Sequence, residues 1–124
     1  LKTLPGIRKY VAIDGGMSDN IRTALYHAEY EPVIANKAGQ PRTEIVTLCG
    51  KHCESGDAVA LDVSIQHPDL GDIVCVFGTG AYCHSMSSNY NGQPRPGIVF
   101  VKDGVARLVT RRETYDDLMA CDID

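Results

Sequence analysis

The chain has 124 residues, 44% of them hydrophobic and 23% charged, and residues 1–124 are expected to form one domain. The 12 basic and 16 acidic residues give a net charge of −4, which argues against nucleic-acid binding through a cationic face. The apolar runs are too short for a membrane-spanning helix, so no membrane partner is expected.

Short runs with the two-residue period of strands alternate with turn residues along the chain. The predicted strands are residues 8–13, 31–36, 43–48, 58–63, 72–77, 97–101 and 105–110. Helices are predicted over residues 21–28, after possible N-caps at 18–20, and over residues 115–120. Residues 102–104 give the clearest hairpin signal. These elements predict a mostly β fold, an antiparallel barrel or sandwich of Greek-key-like type with two or three short helices.

The N-terminus and the cysteines give expectations about the length of the parent protein, its compartment and metal binding. The chain begins at Leu1, with neither Met nor a secretory apolar run, so we expect a piece of a longer protein. An odd number of cysteines, five, argues against a disulfide framework and favours reduced thiols in the cytoplasm. A zinc module using Cys49, His52 and Cys53 is an alternative, although no second ligand pair follows at zinc-finger spacing.

A polar, glycine-rich segment at residues 14–20 precedes the first predicted helix. On that helix Arg22 and Tyr26 are four residues apart and share one face. An arginine beside a phenol can bind a carboxylate. The same spacing is also typical of a solvated helix face, which spacing alone favours.

Two further polar segments follow, at residues 50–57 and 78–91. In the first, Cys53 beside His52 could be a nucleophile or a proton donor, while the same residues also fit an ordinary polar turn. In the second, backbone N–H groups and Tyr82 after a buried strand could contact a phosphate. A lone G-x-G is weak evidence for that role.

The motifs of these segments occur in the order of a known family. They are D-G-G-M-S-D-N at 14–20, G-K-H-C-E-S-G-D at 50–57, T-G-A-Y at 79–82 and R-R-E-T at 111–114. From about residue 8 to residue 120 the chain resembles the C-terminal domain of the diaminopimelate decarboxylases, pyridoxal-phosphate enzymes with an alanine-racemase-like fold. The resemblance implies a two-domain enzyme whose β/α barrel is absent from this chain.

The resemblance also implies an activity, the decarboxylation of meso-2,6-diaminopimelate to L-lysine and CO2, the last step of bacterial lysine synthesis. Its cofactor would be pyridoxal 5′-phosphate, and a homodimer would share its active sites between subunits. Carried over to this sequence, Cys53 would donate a proton to the carbon that loses CO2. Glu54 would bind the distal ammonium group of the substrate.

The remaining implied roles concern the distal carboxylate and the cofactor. Arg22 and Tyr26 would hold the distal carboxylate of the substrate. Tyr82 would contact both pyridoxal phosphate and substrate, and Ser55 would lie nearby against the cofactor. Outside these roles, Arg95 is expected to brace a loop and Tyr90 to pack.

Some features depart from the family pattern or leave other functions open. The cofactor-binding lysine and the phosphate loop belong to the barrel, so the isolated chain is expected to be inactive. Ile21 stands where proline is expected, and Lys51 and His52 are expected either to contact a partner subunit or to be solvated. The alternatives are a non-catalytic stand-alone β-domain for dimerisation or regulation, and a related basic-amino-acid decarboxylase. C-E-S rather than C-D-S at 53–55 argues against the latter.

Overall fold

The computed structural model describes residues 1–80 and 82–123. Its strands are β1 (Lys2–Leu4), β2 (Arg8–Ala12), β3 (Pro32–Ile34), β4 (Glu44–Cys49), β5 (Ala58–Ile65), β6 (Val74–Val76), β7 (Ile98–Lys102) and β8 (Val105–Thr110). Its α-helices are α1 (Arg22–Tyr26) and α2 (Tyr115–Leu118), and 3-10 turns cover Ala35–Lys37 and Tyr90–Gly92. In these ranges no helix is long and apolar enough to cross a membrane.

Every predicted strand and both predicted helices are present, with several shorter at their ends. The clearest shortening among the strands is that of β3 and β6, from six predicted residues to three each, although their pairing continues beyond the strand ends. There the Ala35 N–H donates to the Ile73 carbonyl, and the Phe77 N–H to the Glu31 carbonyl. β1 was not predicted, because three exposed residues carry no periodic apolar signal.

The strands form one four-stranded sheet in the order β1-β2-β4-β5 and two two-stranded sheets, β3-β6 and β7-β8. Pairing is antiparallel except between β2 and β4, which run parallel with Tyr10 opposite Thr47. Two parallel strands need a long connection that brings the chain back to the end of the sheet where the first strand began. Here α1 and β3 lie in the connection between β2 and β4. In the described residues the sheets stay open and do not close into a barrel, which leaves the sandwich-like alternative.

The hydrophobic core lies between the four-stranded sheet and β3. Its buried members are Val11, Ile34, Val46, Leu48, Val59, Ala60 and Ile65. Helix α1 is fixed to this core because the buried Thr23 hydroxyl donates to the Val59 carbonyl at 2.8 Å. The one-turn helix is therefore held against β5, and this contact sets the position of its neighbour Arg22.

The β7-β8 hairpin confirms the turn signal at residues 102–104. Asp103 and Gly104 both have positive φ, +50° and +76°, as a two-residue hairpin turn requires. Its strands pair only with each other within the described residues, and large apolar side chains such as Phe100 and Leu108 are exposed.

Candidate functional site

The structure brings the three polar segments together on one side of the core. The Met17 N–H donates to the Asp57 carboxylate at 2.6 Å, which joins residues 14–20 to residues 50–57. The Ser88 N–H donates to the Ser18 carbonyl at 3.0 Å, which adds residues 78–91. Segments that are distant in sequence thus form one continuous polar surface, the candidate site.

The first segment folds as a tight turn that starts α1. The Gly16 N–H donates to the Asp19 carboxylate, and the Asp19 N–H returns to the Gly16 carbonyl, each at 3.0 Å. The N-cap is Ile21, which makes no side-chain capping bond, although Asn20 accepts from the Arg22 N–H at 3.2 Å. The predicted N-caps at residues 18–20 therefore contribute one bond, from Asn20, but not the cap position itself.

Helix α1 is shorter than predicted because it stops at a left-handed residue. His27 has φ +53°, and its N–H closes the last turn on the Thr23 carbonyl at 3.1 Å. A left-handed residue at this position is a common helix terminator. The helix therefore contains both Arg22 and Tyr26 within little more than one turn.

Arg22 lies between two aromatic rings. Its guanidinium carbon is 5.3 Å from the centre of the Tyr26 ring and 5.2 Å from that of the Tyr82 ring. Nη1 is 4.0 Å from the Met86 sulfur. Within residues 1–80 and 82–123 no carboxylate forms a salt bridge with Arg22. The guanidinium is thus held by cation–π contacts while its donors remain available to an outside anion.

Arg22 itself is half-buried, whereas the two tyrosines beside it are exposed. Tyr26 is 60% exposed and Tyr82 is 62% exposed. The structure therefore joins Arg22, Tyr26 and Tyr82, three of the residues predicted for the site. Ala81, in the T-G-A-Y motif, lies outside the described residues.

Cys53 and Glu54 lie on an exposed turn between β4 and β5. One Glu54 oxygen accepts from the Gly56 N–H at 3.2 Å and from the Ser55 hydroxyl at 3.3 Å. The other oxygen accepts from the Tyr90 hydroxyl at 3.5 Å. Donation by the Gly56 N–H, followed by that of the Ser55 hydroxyl, lowers the pKa of Glu54 below its usual range. Glu54 is therefore an exposed, fixed negative charge at neutral pH.

His52 is buried within its own chain and is not solvated, which contradicts one of the two expectations for it. It is 9% exposed, and its Nε2 lies 2.8 Å from the Ser18 hydroxyl. The Tyr90 ring packs edge-on against it, with 5.5 Å between ring centres, which confirms that Tyr90 packs. His52 lies in a polar turn bounded by glycines, where no periodic pattern of apolar residues exists. The sequence therefore does not indicate that its imidazole is buried.

The zinc alternative finds no support in this arrangement. Cys49 donates to the Val11 carbonyl, His52 faces Ser18, and Cys53 is exposed. In the described parts of the chain no three His, Cys, Asp or Glu side chains are grouped to hold a metal ion.

A buried cluster behind Arg22 was not predicted. The Cys83 thiol donates to the Asn20 side-chain oxygen at 3.3 Å, and the Tyr30 hydroxyl lies 3.6 Å from the same sulfur. Burial raises the pKa of Tyr30. The cluster fixes the start of α1 to residues 82–91. No local pattern marks it, because its members come from three separate parts of the chain.

Arg95 braces a loop, as expected. Its guanidinium pairs with Glu113 at 2.9 Å and donates to the Ser87 carbonyl at 3.3 Å. The Glu113 N–H also donates to the Arg95 carbonyl at 3.1 Å. The brace fastens the end of the third site segment to the loop that follows β8.

Comparison with known proteins shows which proteins this chain is similar to. Residues 2–80 match the family described as pyridoxal-dependent decarboxylase, C-terminal sheet domain. Diaminopimelate decarboxylase of Bacillus subtilis is 51% identical over 122 residues, which cover 98% of this chain and 28% of that protein. The enzyme of the same name from Synechocystis is 50% identical over 98% of this chain and 26% of its own length.

A solved structure shows the same fold. Diaminopimelate decarboxylase from M. jannaschii in co-complex with L-lysine superposes with a TM-score of 0.88 at 36% identity. The match covers 99% of this chain and 28% of that one. The chain therefore spans little more than a quarter of the relatives that it matches.

Proposed function

We propose, since this chain belongs to the pyridoxal-dependent decarboxylases as their C-terminal sheet domain, that it completes the substrate site of an enzyme converting meso-2,6-diaminopimelate to L-lysine and CO2. One observation carries the proposal. The Arg22 guanidinium has no carboxylate partner in the part of the chain that the structure describes, and it lies on the same assembled surface as the fixed carboxylate of Glu54.

The substrate explains why both charges are needed. Diaminopimelate carries an ammonium and a carboxylate at each end. While one end reacts, the other presents both charges to the protein. We assign the distal carboxylate to Arg22 with the Tyr26 hydroxyl, and the distal ammonium to Glu54. A substrate without the second carboxylate would leave Arg22 unpaired, which disfavours its binding.

Cys53 is the proposed proton donor. Its thiol is exposed on the turn that carries Glu54, so a bound substrate can reach it. The thiol would give its proton to the carbon that has lost CO2 and recover one from solvent before the next turnover. Bound pyridoxal phosphate supplies the electron sink for the loss of CO2.

The residues of this chain suit a contact with the cofactor but not its covalent attachment. Within the described residues the exposed Tyr82 hydroxyl makes no hydrogen bond, so it is free to donate to a phosphate or a substrate oxygen. Ser55 offers a second exposed hydroxyl. Lys9 and Lys37 are both occupied in ion pairs with carboxylates. Since the family resemblance implies that the cofactor-binding lysine belongs to the β/α barrel, we assign that lysine to a barrel outside this chain.

The exposed position of the Cys53 turn also supports a site shared between subunits. We propose a cytoplasmic homodimer in which this turn completes the active site of the opposite barrel. Both Cys53 and Glu54 face solvent, so a second subunit has access to them.

The test is to purify the full-length gene product with pyridoxal phosphate and supply meso-diaminopimelate, lysine, ornithine or arginine in separate assays. We expect CO2 and L-lysine from diaminopimelate, and much slower reaction of the other three. Faster release of CO2 from ornithine, arginine or lysine would assign the protein to another basic-amino-acid decarboxylase. A natural product of only 13.5 kDa would instead support the stand-alone β-domain.

A further inference from the structure

We propose that Asp57 is a positioning residue, which fastens the Cys53–Glu54 turn to the loop that starts helix α1. This inference rests on the proposed function, because Cys53 and Glu54 are its proton donor and its ammonium site. The side chain of Asp57 does not reach the exposed face of the turn, and it contacts no group that is proposed to react.

The carboxylate of Asp57 joins two backbone segments, one with each oxygen. Oδ1 accepts from the Met17 N–H at 2.6 Å, and Oδ2 accepts from the His52 N–H at 2.7 Å. Asp57 is 4% exposed, so these charge-assisted bonds are formed largely without competition from water. The two N–H groups satisfy a buried charge that no cation neutralises in the described residues.

The surrounding backbone is shaped to this carboxylate. A Cβ on Gly16 would lie 2.8 Å from Oδ1, and a Cβ on Gly50 would overlap the carboxylate outright. Glycine at both positions therefore allows the backbone to close around Asp57. The space leaves no room for a longer acid, so the site fits an aspartate specifically.

Asp57 also closes the turn that carries the reactive residues. Its own N–H donates to the Glu54 carbonyl at 3.1 Å, and its carbonyl accepts from the Gly50 N–H at 2.9 Å. Cys53 directly follows His52, whose N–H the carboxylate binds. The backbone on both sides of Cys53 and Glu54 is thus fixed by a single residue, with the Asp57 carboxylate before Cys53 and the Asp57 backbone after Glu54.

A second bridge runs parallel to the first. The buried His52 ring contacts the Ser18 hydroxyl at 2.8 Å, which again joins the turn to the loop before α1. Without the Asp57 carboxylate, the His52–Ser18 contact is the side-chain bridge that remains between these two segments in the described residues. We infer that Asp57 holds the turn in one conformation, so that the Cys53 thiol and the Glu54 charge keep a constant position.

The experiment compares the full-length enzyme with its Asp57→Asn variant. Asparagine keeps the shape but turns one acceptor into an NH2 donor that faces a backbone N–H, so one bridge is lost in either orientation. We expect the KM for diaminopimelate to rise, and the turnover per active site to fall, by about tenfold or more each. A purely structural residue would lower only the fraction of active enzyme. Values within twofold of wild type would overturn the proposal.

A double variant tests whether Asp57 acts through Glu54. If it does, Asp57→Asn adds little to the KM increase already produced by Glu54→Gln. Independent, additive increases would contradict positioning of Glu54. Asp116→Asn is the matched control, because Asp116 is exposed at the start of α2 and should leave both constants unchanged.

Hydrogen exchange decides the question even if Asp57→Asn does not fold. In the wild-type full-length protein the amides of Met17 and His52 should exchange slowly although both lie in turns. Rapid exchange at both amides would show that the bridge does not persist. The exchange experiment needs no enzymatic activity. If the protein fails to decarboxylate diaminopimelate, the proposed function is overturned, but the exchange rates still decide whether Asp57 holds the turn.

Discussion

The guanidinium carbon of Arg22 lies 5.2 Å from the centre of the Tyr82 ring, although helix α1 and the residue 78–91 segment are far apart in the chain. This contact places a cation beside a phenol, although nothing in the local sequence indicates that the two residues meet. Because a tyrosine ring attracts a cation without neutralising it, Arg22 keeps its full charge for a ligand. This geometry supports the proposal that Arg22 recognises a carboxylate of the substrate.

Replacing Arg22 tests that recognition directly. In the full-length enzyme we expect Arg22→Gln to raise the KM for diaminopimelate and lower kcat/KM by about a hundredfold or more, since the distal carboxylate loses its bidentate partner. Steady-state kinetics measure the change. Arg107→Gln, an exposed arginine on β8, is the control. An unchanged KM in Arg22→Gln would remove Arg22 from the substrate site.

Cys53→Ala separates proton donation from binding. We expect kcat to fall by about a hundredfold to ten-thousandfold with little change in KM, because the thiol acts in the chemical step. Cys121→Ala removes another exposed thiol and should have no effect. A large rise in KM with normal kcat would instead make Cys53 a binding residue.

Mixed dimers test the shared active site. One parent carries Cys53→Ala, and the other lacks the barrel lysine that binds the cofactor. If each site uses residues of both subunits, random reassociation should restore about a quarter of wild-type activity, since half of the dimers then contain one intact site. Activity that stays at the sum of the two parents would place Cys53 and the lysine in one subunit.

Asp72 should titrate well below an ordinary aspartate. Its carboxylate accepts from Lys37 at 2.6 Å and from Asn36 at 2.7 Å, and these bonds, led by that of Lys37, lower its pKa from 3.8 to about 2. The folded pKa lies below the unfolded value, so the stabilisation is present above pH 3.8 and is lost as the pH falls through about 2. Titration of the Asp72 carboxyl carbon by NMR measures this pKa.

Removing the lysine should reverse that shift. In Lys37→Met we expect the pKa of Asp72 to rise toward 3.8, because the main donor is lost while Asn36 remains. Lys102→Met, at the exposed hairpin turn, should leave the Asp72 titration where it is. A midpoint near 3.8 already in the wild type would contradict the contact between Lys37 and Asp72.

The strands could be predicted from the sequence because their signals are local. The two-residue period identifies β4 and β5, and Asp103-Gly104 marks the β7-β8 turn. The parallel pairing of β2 with β4 could not be predicted, since it depends on where the chain returns after α1 and β3. The exposed β1, which carries no pattern, was missed for a related reason: only its pairing with β2 defines it.

The same distinction holds for the site. The C-E-S-G-D motif identified Cys53 and Glu54 because family resemblance depends on residue order. The burial of His52 was missed because it depends on Ser18 and Tyr90, which approach only in three dimensions. Asp57 looked like ordinary turn chemistry, and its bond to the Met17 N–H shows a wider role. Long-range hydrogen bonds of this kind leave no periodic trace in a sequence.

The joining of three distant segments also bears on local unfolding. The members of the main hydrophobic core cluster lie between Val11 and Ile65, whereas the third site segment follows them in the chain and contributes the buried Cys83. A few contacts hold that segment to the rest of the site, among them Ser88 with Ser18 and Cys83 with Asn20. Residues 82–91 can therefore detach at a lower free-energy cost than the sheet. Such an opening would take Tyr82 away from Arg22 while the core stays folded, so activity should disappear before the domain melts.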